Sequence, residues 1–328
     1  DKLHIVKALD ELGVAFIEAG NPGSNPKDLE FFQEVKKLTL KNSKIVAFGA
    51  TRRKGITAAD DANLKSLLGA DTDHVCIFGK TWDFHVTEIL RATLEENLAM
   101  IRETMEYLVQ QGRTVIYDAE HFFDAYRNNP SYAMETLKAA ASGGAAALVL
   151  CDTNGGSLPD EVREITEVVV RECKLPVGIH CHNDTGMAVA SSLLSVKGGA
   201  TQVQGTLLGF GERTGNANLS TIIANLELKM GLSCLPEGKV ALLTPIARRI
   251  AEIANITVDN GMPYVGFNAF AHKAGMHIDA VNKNSRAYEH VSPDSVGNER
   301  NFLMSEVAGR SMILNRLRVY DPAVITES

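Results

Sequence analysis

The sequence lacks several features that mark whole classes of protein. No apolar run in its 328 residues approaches the roughly 18–20 residues needed to cross a bilayer. It has no tract of Lys and Arg, and 33 basic against 40 acidic residues give a net charge of −7. We therefore expect neither a membrane nor a nucleic acid as partner. An anionic small substrate would need cationic groups gathered locally.

Cysteine is scarce, and no two of the five cysteines form a Cys-x-x-Cys pair. The five are Cys76, Cys151, Cys173, Cys181 and Cys234, and most of them lie in or beside apolar runs. This pattern predicts reduced, mostly buried thiols rather than a disulfide framework. No signal or transit peptide is recognisable at the start, so we expect a cytoplasmic protein.

Short apolar runs alternate with helix-length segments along the first two thirds of the sequence. They spread over 14–17, 45–48, 75–78, 114–117, 146–151, 177–180 and 202–206. Their spacing of about 25–35 residues is the length of one βα unit. Strands apolar on both faces predict a parallel sheet covered by helices. Seven such units favour an α/β TIM (β/α)₈ barrel over a doubly wound sheet. Because the sequence opens on a helical pattern, we expect strand 1 of the barrel to lie before residue 1.

The pattern changes after about Met230. A loop is predicted over 231–238, a helix over 244–256 with Pro245 in its first turn, and another helix over 301–313. We therefore assign 1–232 to the barrel and 233–328 to a linker helix and a small C-terminal subdomain.

The segment 178–184 reads Gly-Ile-His-Cys-His-Asn-Asp. Residues i and i+2 of a strand face the same side, so His180 and His182 project together and Cys181 points away. Two imidazoles at a strand end suit a divalent cation with one more oxygen ligand and open positions. Two hydrogen-bonded structural histidines are the alternative.

Other polar residues follow the apolar runs, and TIM barrels build their active sites at the carboxyl ends of strands. The hydroxyl of Thr153 and the following backbone N–H groups are suited to hold a substrate carboxylate. A glycine-rich turn capped by Asp152 is equally compatible. Asp118 and Glu120 are either functional acids at the barrel mouth or part of a solvated edge.

Two further segments are ambiguous on the sequence alone. The glycine-rich loop at 205–218 is of the kind that cradles phosphate in TIM barrels, or it is a tight structural loop. His272 and His277 lie in a predicted loop outside the barrel, where no structural need for two histidines is evident.

Three of these segments together resemble the family of 2-isopropylmalate, homocitrate and citramalate synthases. These are metal-dependent TIM-barrel enzymes that catalyse Claisen condensations and are related to 3-hydroxy-3-methylglutaryl-CoA lyase. The matching motifs are His-x-His-Asn-Asp at 180–184, Gly-Glu-Arg-Thr-Gly-Asn at 211–216 and His-Lys-Ala-Gly-x-His at 272–277. They occur in the family's order. Finer likeness to the citramalate synthase branch is found at 20–28, 78–83, 118–124 and 288–300.

The resemblance implies an acyltransferase that condenses acetyl-CoA with a 2-oxo acid, with pyruvate as the expected acceptor and citramalate and CoA as products. It implies a divalent metal ion (Mg²⁺, Mn²⁺, Co²⁺ or Zn²⁺) bound by His180, His182 and Asn216. Thr153 matches the residue that contacts the carboxylate of the oxo acid. Glu120 matches an acid that helps to position the reacting acyl group.

The resemblance also implies how the acetyl group is activated. His277 matches the family's general base or proton relay, Glu120 is a candidate orienting partner, and Tyr288 is the candidate for a nearby tyrosine. In the family this subdomain is lid-like and covers the active site of a neighbouring subunit. We therefore expect a homodimer with exchanged lids.

The sequence departs from the family in two places. An Asp-x-Thr-Leu-Arg-Asp-Gly segment, which supplies an aspartate ligand and an arginine, is absent, as is a C-terminal regulatory domain. We expect the missing strand to precede residue 1. A 2-isopropylmalate or homocitrate synthase is the alternative within the class. A metal-dependent lyase and a non-catalytic barrel are alternatives outside it, and the motif at 272–277 argues against the lyase.

Overall fold

Seven parallel strands form the main sheet of the computed structural model, which describes residues 1–303. The strands follow one another in the sheet in chain order. They are β1 (Phe16–Glu18), β2 (Lys44–Ala50), β3 (His74–Lys80), β4 (Thr114–Glu120), β5 (Ala147–Asp152), β6 (Val177–Cys181) and β7 (Gln202–Gln204). All seven predicted runs thus become strands, and the predicted parallel α/β sheet is confirmed.

Helices separate the strands, as in successive βα units. They are α1 (Lys2–Leu12), α2 (Pro26–Val35), α3 (Ala62–Ala70), α4 (Leu94–Gln110), α5 (Phe122–Asn128), α6 (Pro130–Ser142), α7 (Pro159–Cys173), α8 (Ala188–Lys197) and α9 (Leu219–Leu228). Local sequence sets their ends. Gly13 ends α1 with φ 96°, a left-handed conformation that glycine adopts without strain. The side chains of Asp61 and Thr93 cap the first turns of α3 and α4.

The sheet is curled, and a side-chain contact demonstrates it. Gln204 of β7 donates a hydrogen bond to Asp118 of β4 at 2.9 Å, although β5 and β6 lie between them in the sheet. Neighbouring strands are about 4.8 Å apart, so a flat sheet would separate β4 from β7 by roughly 14 Å. The curl encloses an apolar cluster that includes Val46, Ile116 and Val149. This is a TIM-barrel-type arrangement in which β1 and β7 are the end strands.

The described residues divide into two compact units, Asp1–Ile222 and a second that begins at Ile223. The second contains α10 (Leu243–Ile253), β8 (Ala271–His272), α11 (Gly275–Lys283) and β9 (Asn301–Phe302). The helix predicted over 244–256 corresponds to α10, and Pro245 lies in its first turn as expected. The boundary predicted at residue 232 stays a prediction.

The prediction of a helix over 301–313 is wrong for its first two residues. Asn301 and Phe302 form a strand that pairs in parallel with Ala271 and His272. Hydrogen bonds to a distant segment override the local helical pattern there. The rest of the predicted helix lies outside the described residues. Within residues 1–303, no helix has both the length and the apolar composition that a bilayer span requires.

Candidate metal centre and active site

His180 and His182 lie side by side at the carboxyl end of β6, where TIM barrels place their chemistry. Their ring centroids are 5.3 Å apart and their planes differ by 32°. Cys181, between them, is fully buried on the opposite face, and this burial raises the pKa of its thiol. Strand alternation therefore separates the two imidazoles from the thiol.

The glycine-rich loop at 205–218 brings Asn216 to the same place. The Asn216 Oδ1 lies 3.1 Å from the His180 Nε2. The loop is fastened to the end of β6 because Ala217 N–H donates to the Cys181 carbonyl and Asn183 N–H donates to the Gly215 carbonyl, both at 2.9 Å. The loop thus fixes Asn216 against the two histidines.

Two glycines of this loop have no room for a side chain. A Cβ on Gly215 would collide with the carbonyl oxygen of Gly209, and a Cβ on Gly211 would collide with the Asn216 amide. Both have positive φ, 100° and 158°. Of the two predicted roles for the loop, the contacts favour a tight structural loop that positions Asn216.

The residues at this site fit a divalent cation. Burial, then the nearby His180 and Arg213, lowers the pKa of His182 to about 4, so its ring is neutral at physiological pH. The His182 Nδ1 is buried without a hydrogen-bond partner among residues 1–303. Two imidazoles and an amide oxygen suit Mg²⁺, Mn²⁺, Co²⁺ or Zn²⁺.

Thr153 directly follows β5, and Glu120 is the last residue of the neighbouring strand β4. The Thr153 Oγ1 accepts a hydrogen bond from the His121 backbone N–H at 2.8 Å, which leaves its hydroxyl hydrogen to donate elsewhere. The Glu120 Oε2 forms an ion pair with the Lys80 Nζ at 2.5 Å. Both predicted residues therefore lie at strand ends, and Glu120 has a cationic partner that sequence reasoning missed.

Asp152 stabilises the turn that follows β5. Its carboxylate accepts hydrogen bonds from the backbone N–H of Ser157, at 3.2 Å, and from the Ser157 hydroxyl, at 3.0 Å. The capped turn is therefore the interpretation of Asp152 that the contacts support.

Asp118 is buried inside the curl rather than exposed on an edge. Ligand atoms of Asp118, Cys151 and His180 lie within 4.8 Å of one another, as do those of Glu18, Cys76 and Asp118. Burial raises the pKa of Asp118, whereas His180 and hydrogen bonds lower it. These groups were missed as a cluster because only the curvature of the sheet brings them together.

A second histidine cluster lies beside Glu120. His85 begins a π-helical turn, His85–Ile89, of a kind often found at functional sites. Its ring stacks on Trp82 at 5.2 Å and lies 4.4 Å from the ring of His121. Sequence reasoning missed His85 because it follows β3 by several residues instead of ending it.

A cavity of about 420 Å³ lies at the carboxyl ends of β2 and β3. Phe78 and Met100 contribute apolar walls, and Arg53, Lys54 and Lys80 contribute cationic groups. The Lys54 Nζ donates to the Arg91 carbonyl at 2.7 Å, whereas the Arg53 guanidinium has no partner among residues 1–303. The cavity thus joins an apolar slot to local positive charge in a chain of negative net charge.

In the second unit, His277 and Tyr288 are stacked with ring centroids 4.1 Å apart. The prediction of a loop around His272 and His277 is wrong, because His272 lies on β8 and His277 lies on α11. His272 also has a structural partner, since its Nε2 lies 3.2 Å from the Oε1 of the buried Glu289. Glu289 in turn accepts two hydrogen bonds from Arg300.

The fold and the site define an α/β barrel-type protein with a candidate metal centre at its strand ends. A family model described as HMGL-like matches residues 1–246, and one described as homocitrate synthase post-HMGL domain-like matches residues 264–327. The chain belongs to the HMGL-like family.

Relatives and solved structures agree with this assignment. The chain is 52% identical to an (R)-citramalate synthase of Aquifex aeolicus over 98% of its length, and 51% identical to one of Synechocystis over 99%. It spans 61% of the length of each of these relatives. A crystal structure of Bacillus subtilis HMG-CoA lyase shares the fold, with a TM-score of 0.64, 18% identity and coverage of 79% of this chain and 87% of the lyase.

Proposed function

We propose that the protein containing this chain condenses acetyl-CoA with pyruvate to give citramalate and free CoA. The observation that carries the proposal is the placement of His180, His182 and Asn216 together at the strand ends of a chain about half identical to (R)-citramalate synthases. A bound divalent cation would polarise the 2-oxo carbonyl as a Lewis acid.

The strand-end residues have complementary tasks in this proposal. The Thr153 hydroxyl donates to the pyruvate carboxylate, and the His121 N–H holds that hydroxyl in place. The Lys80 Nζ holds the Glu120 carboxylate beside the cavity, where this acid positions the acetyl group.

A general base must remove a proton from the acetyl methyl group before the carbon–carbon bond forms. We assign this step to His277, whose ring Tyr288 holds by stacking. The resulting carbanion adds to the carbonyl carbon of pyruvate, and the alkoxide that forms takes up a proton. Water then hydrolyses the thioester and releases CoA. We further propose a homodimer in which the segment 233–328 covers the site of the neighbouring subunit, and a cytoplasmic location.

The cavity next to Lys80 is the proposed site for the acetyl-CoA arm. Its apolar walls suit the pantetheine chain, and the exposed guanidinium of Arg53 suits a phosphate group. Lys80 lines this cavity and also contacts Glu120, so a thioester bound there would lie beside the positioning acid.

Replacing Arg53 with alanine should therefore raise the KM for acetyl-CoA about 10- to 150-fold, because a charge-assisted hydrogen bond contributes about 1.5–3 kcal/mol. The KM for pyruvate should change little. Steady-state kinetics with each substrate varied in turn measure both constants. The exposed Lys7→Ala on α1 is the charge-matched control. An equal rise in both KM values, or no rise, would show that the phosphates bind elsewhere.

The proposed function is tested by thiol release from acetyl-CoA with the full-length protein. Pyruvate, 2-oxoisovalerate and 2-oxoglutarate are supplied separately, with Mn²⁺ and then with EDTA. Metal-dependent release with pyruvate alone supports the proposal. Release with 2-oxoisovalerate or 2-oxoglutarate indicates a 2-isopropylmalate or homocitrate synthase instead. No release with any acceptor contradicts a synthase and favours a lyase or a non-catalytic barrel.

A further inference from the structure

We infer that Gln204, anchored by Asp118, is a positioning residue that sets the tautomer of His180 and so presents its Nε2 lone pair to a cation. The inference rests on the metal centre of the proposed function but not on the identity of the substrates. It concerns two residues that lie on β7 and β4, whereas His180 lies on β6.

The contacts of Gln204 assign both ends of its amide. Its Nε2 donates to the Asp118 Oδ1 at 2.9 Å and approaches the Cys76 Sγ at 4.0 Å. Its Oε1 lies 2.8 Å from the Nδ1 of His180, the residue paired with Gln204 in the sheet register. The two amide hydrogens are thus directed at Asp118 and Cys76, and only the oxygen faces the histidine.

An amide oxygen can only accept a hydrogen bond, so the His180 Nδ1 must carry the proton. In the neutral ring the Nε2 then keeps its lone pair. This lone pair faces the Asn216 Oδ1 at 3.1 Å. Asn216 cannot offer a hydrogen in return, because its Nδ2 donates to the Phe210 carbonyl at 3.0 Å.

Two acceptor atoms therefore face each other, an arrangement that a shared cation stabilises. Fixing a ligand histidine through its other ring nitrogen is a general way to raise metal affinity. Asp118 contributes by holding the Gln204 amide in one orientation, since the reversed amide would place two oxygens against each other. Asp118 itself is only 4% exposed, so solvent offers little competition for this hydrogen bond.

The test is Mn²⁺ binding to the full-length protein by isothermal titration calorimetry, without acetyl-CoA or pyruvate. Gln204→Met keeps the length of the side chain but loses both polar ends, and should weaken Mn²⁺ binding about 10–100-fold. Gln204→Glu combined with Asp118→Asn keeps an oxygen towards His180 and an amide hydrogen between the two side chains, and should restore most of the affinity. Gln202→Met is the matched control because Gln202 is equally half-buried on the same strand but pairs with Gly178 instead of His180. Unchanged affinity in Gln204→Met would overturn the inference.

A second measurement does not depend on any variant folding. The ¹⁵N shifts of the His180 ring in the unsubstituted, metal-free protein at pH 8.5 report which nitrogen carries the proton. A proton on Nδ1 is expected, and a proton on Nε2 would overturn the inference. Both measurements are independent of CoA release, so a failure of the proposed reaction and a failure of this inference give different results.

Discussion

His182→Ala is expected to lower metal-dependent CoA release by about 10³-fold. The reason is that Lewis-acid stabilisation of developing charge contributes several kcal/mol, and each 1.36 kcal/mol corresponds to a factor of ten. The neutral ring of His182, whose Nδ1 has no hydrogen-bond partner within the described part of the chain, is one of two imidazoles at the site. Steady-state kinetics and Mn²⁺ calorimetry on the same preparation measure the loss of rate and of binding together.

The matched control is His4→Ala, which removes an exposed imidazole from α1. It should leave both the rate and the Mn²⁺ affinity unchanged. If His182→Ala bound Mn²⁺ as tightly as the unsubstituted protein, the two histidines would be structural. That was the alternative interpretation of the His-x-His pattern.

His277→Ala should lower kcat by about 10²–10⁴-fold, the usual contribution of a positioned general base. Mn²⁺ affinity should not change, because His277 lies outside the proposed metal ligands. Tyr288→Phe should have a much smaller effect, since phenylalanine keeps the ring that stacks on His277 at 4.1 Å.

The control for this prediction is Met276→Ala, which changes the adjacent residue of α11. Met276 is 79% exposed, so its loss should cost little stability. A second readout is exchange of the acetyl methyl protons with deuterated water, followed by NMR. An undiminished kcat in His277→Ala would require that another group removes the proton.

Much of the fold could be predicted because burial leaves a direct trace in the sequence. Ala147–Asp152 is buried at all six positions, and its apolar run is correspondingly clear. The apolar pattern marks the bounds of a strand less clearly where the strand carries polar residues. The first apolar run spans 14–17, but β1 is Phe16–Glu18. An apolar criterion stops before Glu18, although Glu18 contributes to the cluster inside the curl.

The site was predictable only in part, for a related reason. The strand-end rule and strand alternation identify His180, His182 and Thr153 without knowledge of the tertiary structure. This reasoning does not identify Gln204, because its partner Asp118 lies on a strand three positions away in the sheet. The same reasoning does not identify Lys80, because a lysine at the end of a strand is ordinarily exposed to solvent.

The incorrect helix over 301–313 shows the same limit. Asn301 pairs with Ala271, about thirty residues earlier in the chain, and local periodicity carries no information about that partner. Contacts that depend on curvature or on distant pairing are therefore the ones that sequence patterns miss.

The central claim is that His180, His182 and Asn216 hold a divalent cation to which the 2-oxo acid binds. Its most direct test is a crystal structure of the full-length protein grown with Mn²⁺ and pyruvate, with diffraction data collected at the manganese absorption edge. One anomalous peak in contact with all three side chains is expected, with pyruvate beside Thr153. An anomalous peak elsewhere, with these side chains hydrogen-bonded only to protein and water, would contradict it.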